Sequence, residues 1–164
     1  MTNKGKNAVI KKELKDAGYS IKDFSVRIKN CGYSESIHIT IKSPVVNRMD
    51  ISALLQHWEE IDRDERSGEI LQGCNCYLIV QYDDGVFNEA AREYQATADK
   101  LLKTIEKDIC LRVFDGLYLI SSDQFACPQM HQQDDRGHGN VAVWGTAQLA
   151  ELIYKFTEFG TIFA

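Results

Sequence analysis

No apolar run approaches the ~18 residues of a bilayer-crossing helix, and the opening residues, MTNKGKNAVIKKELKD, carry no uninterrupted apolar signal core. The expectation is a cytoplasmic protein without membrane attachment. A disulfide framework is missing too. The five cysteines, Cys31, Cys74, Cys76, Cys110 and Cys127, are odd in number and thinly spread, which suits a reducing compartment. No internal repeat or low-complexity tract appears. Nucleophile elbow, phosphate-cradling glycine loop and dinucleotide fingerprint are all absent. The motif-borne enzyme classes therefore have no support and no cofactor is expected; a non-enzymatic binding protein is the leading reading, a nucleic-acid-binding accessory module without inhibitory role the alternative, and a metal- or cysteine-dependent enzyme the third.

What is present fits one globular unit. The chain has 164 residues, 44% of them hydrophobic and 10% aromatic, enough for a sizeable core. Charge is unevenly spread. Residues 1–48 hold ten Lys/Arg against four Asp/Glu, while residues 49–164 hold nine against twenty. A bipolar surface of this kind can steer a charged partner.

Hydrophobic periodicity then lays out the elements. Ile10, Leu14 and Ala17 predict a helix over residues 7–17, closed by Gly18. In KDFSVRIKNCGYSESIHITIK, residues 22–42, Phe24, Val26 and Ile28 alternate with polar residues, as do Ile37, Ile39 and Ile41. Period two over both runs predicts a β-hairpin with one buried face, ended by Pro44. Asp50 is the expected N-cap of a second helix carrying Ile51, Leu54, Leu55, Trp58 and Ile61. The nearly all-apolar run Cys76 to Tyr82 predicts a central strand buried on both faces. A long helix is expected from Val86 to Lys107, its seam of Phe87, Ala91, Tyr94, Ala98, Leu101 and Ile105 packing on the sheet. The same seam could dimerise, so monomer and dimer both stay open. Asp115-Gly116 predicts a hairpin turn between two strands, residues 121–140 a polar loop, and Val141 to Trp144 a short strand. A last helix begins after an N-cap at Thr146, turns Leu149, Leu152, Ile153 and Phe156 inward, and stops near Gly160. The whole reads as a single α+β domain over residues 1–164: a mixed, largely antiparallel sheet with about four helices.

Candidate chemistry is thin. Cys74, Cys76, Cys127, His131 and His138 are soft zinc ligands. The one-residue gap between Cys74 and Cys76 is, however, narrower than structural zinc pairs use, and no metal site is assigned. Asp62-x-Asp64-x-Arg66 sets a cation where a calcium loop needs an oxygen. Cys127 and His131 lie close in sequence, which does not make a nucleophile–base pair. Two surfaces carry more. On the hairpin, Arg27, Lys29, His38 and Lys42 fill the polar positions, with Tyr33 near the turn; basic side chains beside an aromatic suit phosphates and a stacked base. Between Glu59 and Asp84, eight carboxylates stand against Arg63 and Arg66. A row led by Glu59, Asp62, Asp64 and Glu65 could occupy a basic protein groove that ordinarily takes nucleic acid.

One stretch carries a resemblance. Leu14-Lys15, Phe24-Ser25-Val26-Arg27, Tyr33-Ser34, Ser36-Ile37 and Pro44, with Tyr77 to Asp84 as a later strand, resemble an accessory domain of the large polyvalent proteins of phages and conjugative elements. The resemblance covers residues 10–84 and departs at IKSPVVNRMD, where a Trp- and Gly-containing turn would stand; residues 86–164 match no family. It implies a protein of a mobile genetic element, from a phage, plasmid or integrative element, in the cytoplasm of a bacterial host. Its partner would be a host-defence protein or nuclease, or nucleic acid, and its role anti-CRISPR or anti-restriction. It implies no catalytic residue.

Overall fold

A computed structural model describes residues 2–71, 74–105, 109–135 and 137–164, and the backbone alone at Cys31. The chain, read from its sequence as one domain, divides into two compact units, Met1–Val86 and Phe87–Ala164. Helices and mostly antiparallel strands make the chain α+β, as its periodicity indicates, with the strands divided between two sheets.

In the first unit, helix α1 (Asn3–Asp16) buries Ile10 and Leu14. Gly18, at φ +92°, lets the chain turn back. Its N–H donates to Lys15 O and that of Tyr19 to Leu14 O, a Schellman closure that satisfies the last carbonyls of the helix. Strands β1 (Phe24–Cys31) and β2 (Ser34–Ile41) form the expected hairpin, with Val26 opposite Ile39 and Arg27 opposite His38. Helix α2 (Arg48–Leu55) is capped by Asn47, whose side chain accepts from Met49 N–H at 2.9 Å. Asp50 is thus not the N-cap: it lies in the first turn, where its charge still favours the helix dipole. The α-helix also ends earlier than the apolar spacing predicts. A 3₁₀ turn, Gln56–Trp58, follows it, the Trp58 indole donates to Glu13 Oε2 at 3.0 Å, and the chain then extends so that Glu60 pairs with Cys76.

Strand β3 (Cys76–Tyr82) pairs parallel with β2, giving the order β1-β2-β3. It is an edge strand, not the doubly buried centre that its apolar run predicts. Cys76, Leu78, Val80 and Tyr82 pack on the core, whereas Tyr77, Ile79 and Gln81 point the other way, Ile79 being 37% exposed. Apolar residues on both faces hide that alternation. The core under the sheet comprises Phe24 and Val26, Ile37, Ile39 and Ile41, and the buried residues of the two helices.

The second unit opens with a 3₁₀ stretch (Ala90–Tyr94) leading into helix α3 (Gln95–Thr104). The uniform helix over 86–107 is therefore replaced by a shorter one; Lys107, its expected end, lies outside the described residues. Its seam packs against helix α4 (Thr146–Phe159), not the sheet. The Phe87 and Tyr94 rings contact Tyr154, and tertiary packing decides the pitch. Strands β4 (Cys110–Phe114) and β5 (Leu117–Ile120) flank the expected turn at Asp115-Gly116. Strands β6 (Gln129–Asp134) and β7 (Gly137–Ala142) complete an antiparallel sheet ordered β4-β5-β6-β7.

Most of the expected 121–140 loop is thus a hairpin. Of the two buried positions on β6, Met130 is apolar and Gln132 polar, too little for an apolar alternation to reveal. Gln132 is fully buried, donating to Asp134 Oδ1 (3.0 Å) and Gly160 O (3.2 Å) and accepting from Thr161 Oγ1 (3.1 Å) and Ile162 N–H (2.9 Å). At Gly139 a Cβ would stand 3.0 Å from Phe163 Cζ, so glycine permits the close approach of that ring. The N-cap of α4 is Gly145, one residue before the expected Thr146, and Gly160 at φ +72° ends the helix as expected.

Candidate nucleic-acid-binding surface

Because α1 and α2 supply the core on one side of the first unit's sheet, the opposite face carries the polar positions of the pleat. The register sets out its rows. Lys29, Ser36 and Tyr77 form one, Arg27, His38 and Ile79 the next, and Ser25, Thr40 and Gln81 the third. Arg27, Lys29 and Lys42 are exposed, and none of the ion pairs among the described residues involves them. The strand rise sets Arg27 and Lys29 about 7 Å apart along β1. Lys42, just beyond β2, is fixed by its N–H donating to Asp23 O at 2.7 Å. It joins Arg27, Ser25, Thr40, Gln81 and Asp83 around a cleft of about 340 Å³.

The four basic residues read from the hairpin therefore share one side of the sheet, but they are not equivalent. His38 is half-buried, with Nε2 3.0 Å from Ser36 Oγ. Burial first, and the charge of Lys29 second, hold its imidazole below the ordinary value. At neutral pH it is a polar contact, leaving three fixed cations. Tyr33 stands at the hairpin tip, fully open, over a hollow lined by Lys6, Glu35 and Cys74; it is not among the rows. The face instead has Tyr77 and Ile79, which the reading of β3 as a buried strand misses. The one hint in the sequence is Gln81, a polar residue out of place in a doubly buried strand.

The acidic residues are dispersed in their roles. Glu59 Oε1 accepts from the edge N–H of Leu78 at 3.4 Å. Asp64 Oδ1 accepts from the N–H of Arg66 (3.0 Å) and from the N–H and Oγ of Ser67 (2.8 and 3.0 Å), which holds its carboxyl below the usual range. Both carboxylates serve the loop itself. Asp62 is held through its backbone, its N–H donating to the buried Asn75 side chain and its carbonyl accepting from Leu71. The Asp62 and Glu65 side chains are left facing solvent.

Among the described residues no group of three His, Cys, Asp or Glu could hold a metal ion; of the histidines, His131 and His138 meet edge to face, with ring centroids 5.5 Å apart. The Cys76 thiol contacts Glu35 Oε2 at 3.8 Å and is pushed up by burial and by that carboxylate, which is itself paired with Lys6. Cys127 Sγ accepts from Gln129 Nε2 at 3.7 Å, while His131 Nδ1 meets Asn140 Oδ1 at 2.5 Å. Among the described residues no hydrogen bond joins Cys127 to His131.

What fold and surface define together is an α+β chain with an open, cationic sheet face. No protein-family model matches the chain, and neither a curated protein nor a solved structure matches it.

Proposed function

We propose that the protein is a non-enzymatic nucleic-acid-binding module whose contact surface is the outer face of the β1-β2-β3 sheet. The observation that carries this reading is the set of three cations in no ion pair, Arg27, Lys29 and Lys42, exposed on one side of the sheet. Cations held apart from carboxylates keep their charge available for phosphates, whose contacts dominate nucleic-acid affinity. The resemblance over residues 10–84, which lies inside the first unit, supports a setting in a mobile genetic element. There, occupying nucleic acid would shield it from host restriction or CRISPR nucleases. The test is binding of labelled DNA and RNA by the full chain and by the Arg27→Ala/Lys29→Ala variant. Loss of binding in the variant is expected; unchanged binding would refute this surface.

A second reading is a carboxylate decoy for a basic groove of a defence protein. It rests on the exposed Asp62 and Glu65, in a connector pinned at both ends by the Glu60–Cys76 and Arg63–Ile70 bridges. That protein would ignore free nucleic acid. It would lose its partner on charge reversal at Asp62 and Glu65, whereas charge reversal at Asp64 would also break the turn that Asp64 holds.

A further inference from the structure

We infer that the nucleic acid taken by this face is single-stranded, its phosphates running along β1 and one base lying on Tyr77 of β3. The inference rests on the nucleic-acid reading above and adds the class of ligand. Cations and apolar groups are segregated by strand across the face. Arg27 and Lys29 lie on β1, the small polar groups of Ser36, His38 and Thr40 on β2, and Tyr77 and Ile79 on β3. Two inter-strand spacings separate the outer columns by about 10 Å, the reach of one nucleotide from phosphate to base. Along β1 the alternate positions lie about 7 Å apart, one step of an extended strand.

A duplex does not suit this face. Its bases are covered by stacking, and its major groove admits a protruding helix or a two-stranded ribbon, whereas a three-stranded sheet face offers no ridge to insert. Set against a duplex backbone, Ile79 would desolvate phosphates and give nothing back, and the Tyr77 ring would be left without a base to stack on. Against a splayed strand the same two side chains meet a base face, which aromatic platforms hold without regard to sequence. Asp83 and Asp84 follow β3 and line the cleft that contains Lys42. Their charge repels phosphate from the β3 side of that cleft, which keeps the phosphates on the side of Arg27, Lys29 and Lys42.

Fluorescence anisotropy of the full chain with labelled single-stranded DNA, single-stranded RNA and duplex DNA oligomers of about eight nucleotides tests this. Tighter binding of either single strand than of the duplex, by about tenfold or more, supports the inference, and the tighter of the two identifies the preferred sugar. Tyr77→Ala should weaken single-strand binding by about tenfold and leave duplex binding unchanged, while Tyr77→Phe should bind as the original does. A fluorescent base analogue in the strand should be quenched by the unmodified protein, a readout that does not depend on the folding of any variant. Equal or tighter duplex binding that still needs Arg27 and Lys29 would overturn the single-strand inference and leave the proposed function standing. Single-strand binding without quenching and without a Tyr77→Ala effect would also overturn it. No binding to any oligomer would overturn both.

Discussion

Replacing Arg27 and Lys29 by alanine should change how binding responds to salt, and by an amount the structure fixes. Each phosphate neutralised releases condensed counterions, so log K falls with log salt at about −0.7 per contact for a single strand and about −0.9 for a duplex. Three cations stand unpaired on the face, Arg27, Lys29 and Lys42. The slope at neutral pH should therefore be about −2 on a single strand. Raising salt from ~50 to ~200 mM would then cost about 20-fold in affinity, against about 40-fold for three duplex contacts. Only Lys42 survives in the double variant, the slope drops to about −0.7, and the same salt step costs under about threefold. His38 is excluded at neutral pH because Lys29 and burial disfavour its charged form. Near pH ~5.5, below the ordinary imidazole value, a bound polyanion should draw a proton onto it and steepen the slope by up to about 0.7. Anisotropy titrations at four or so salt concentrations read all of this directly. An unchanged slope in the double variant would refute the assignment of phosphates to β1. A slope in the unmodified protein much steeper than −2 would move contacts toward other cations, with Lys4 and Lys11 beside Ile28 the first to substitute.

Other substitutions test the packing behind the surface. Gln132→Leu strands the Thr161 hydroxyl and the Ile162 N–H in a buried setting; at ~1–3 kcal/mol for each unsatisfied group, chemical denaturation should show a loss of about 3 kcal/mol, and a loss well under 1 would refute the role given to that amide. Ile39→Ala, at a fully buried position in the middle strand, should cost about 2–5 kcal/mol by the same assay. Asp64 has a folded value below its ordinary 3.8, so its contribution is complete above that value and disappears as pH falls through the folded one; thermal melts below pH ~4 should show this loss in the unmodified protein and not in Asp64→Ala. The Cys76 thiol, raised by burial and Glu35, should alkylate more slowly at pH ~8 than the exposed Cys74 and Cys110, and equal rates would contradict the contact with Glu35.

The elements legible in the sequence are those whose buried side is apolar and whose exposed side is polar. The β1–β2 hairpin meets that condition through Phe24, Val26, Ile37, Ile39 and Ile41, and α4 through Leu149, Leu152, Ile153 and Phe156, every one of them buried. Local turn chemistry added Gly18, Asp115-Gly116 and Gly160. The β6–β7 hairpin fails the condition because Gln132 shares its buried side with Met130 alone, and because Gly137 and Gly139 leave room for Phe163. No local signal says that a glutamine will be satisfied by residues near 160, thirty positions along the chain. The cap of α2 is a narrower case: Asn47 and Asp50 are both good capping residues, and the choice depends on where the chain leaves Pro44.

Recognition of the surface was limited by the same rule from its opposite side. Arg27, Lys29, His38 and Lys42 could be aligned because their strands alternate cleanly. Tyr77 and Ile79 could not, since in CYLIVQY the core-facing and solvent-facing residues are alike in polarity. A half-buried aromatic and an exposed branched aliphatic side chain on the outer face of an edge strand, where a charged residue would ordinarily guard against strand-to-strand association, are an exception to that design habit. Glu59 supplies part of the missing protection, its carboxylate covering the Leu78 N–H from the side. The apolar pair adds nothing to that protection, and a flat ligand face laid over Tyr77 and Ile79 gives their place on the outer face a physical use.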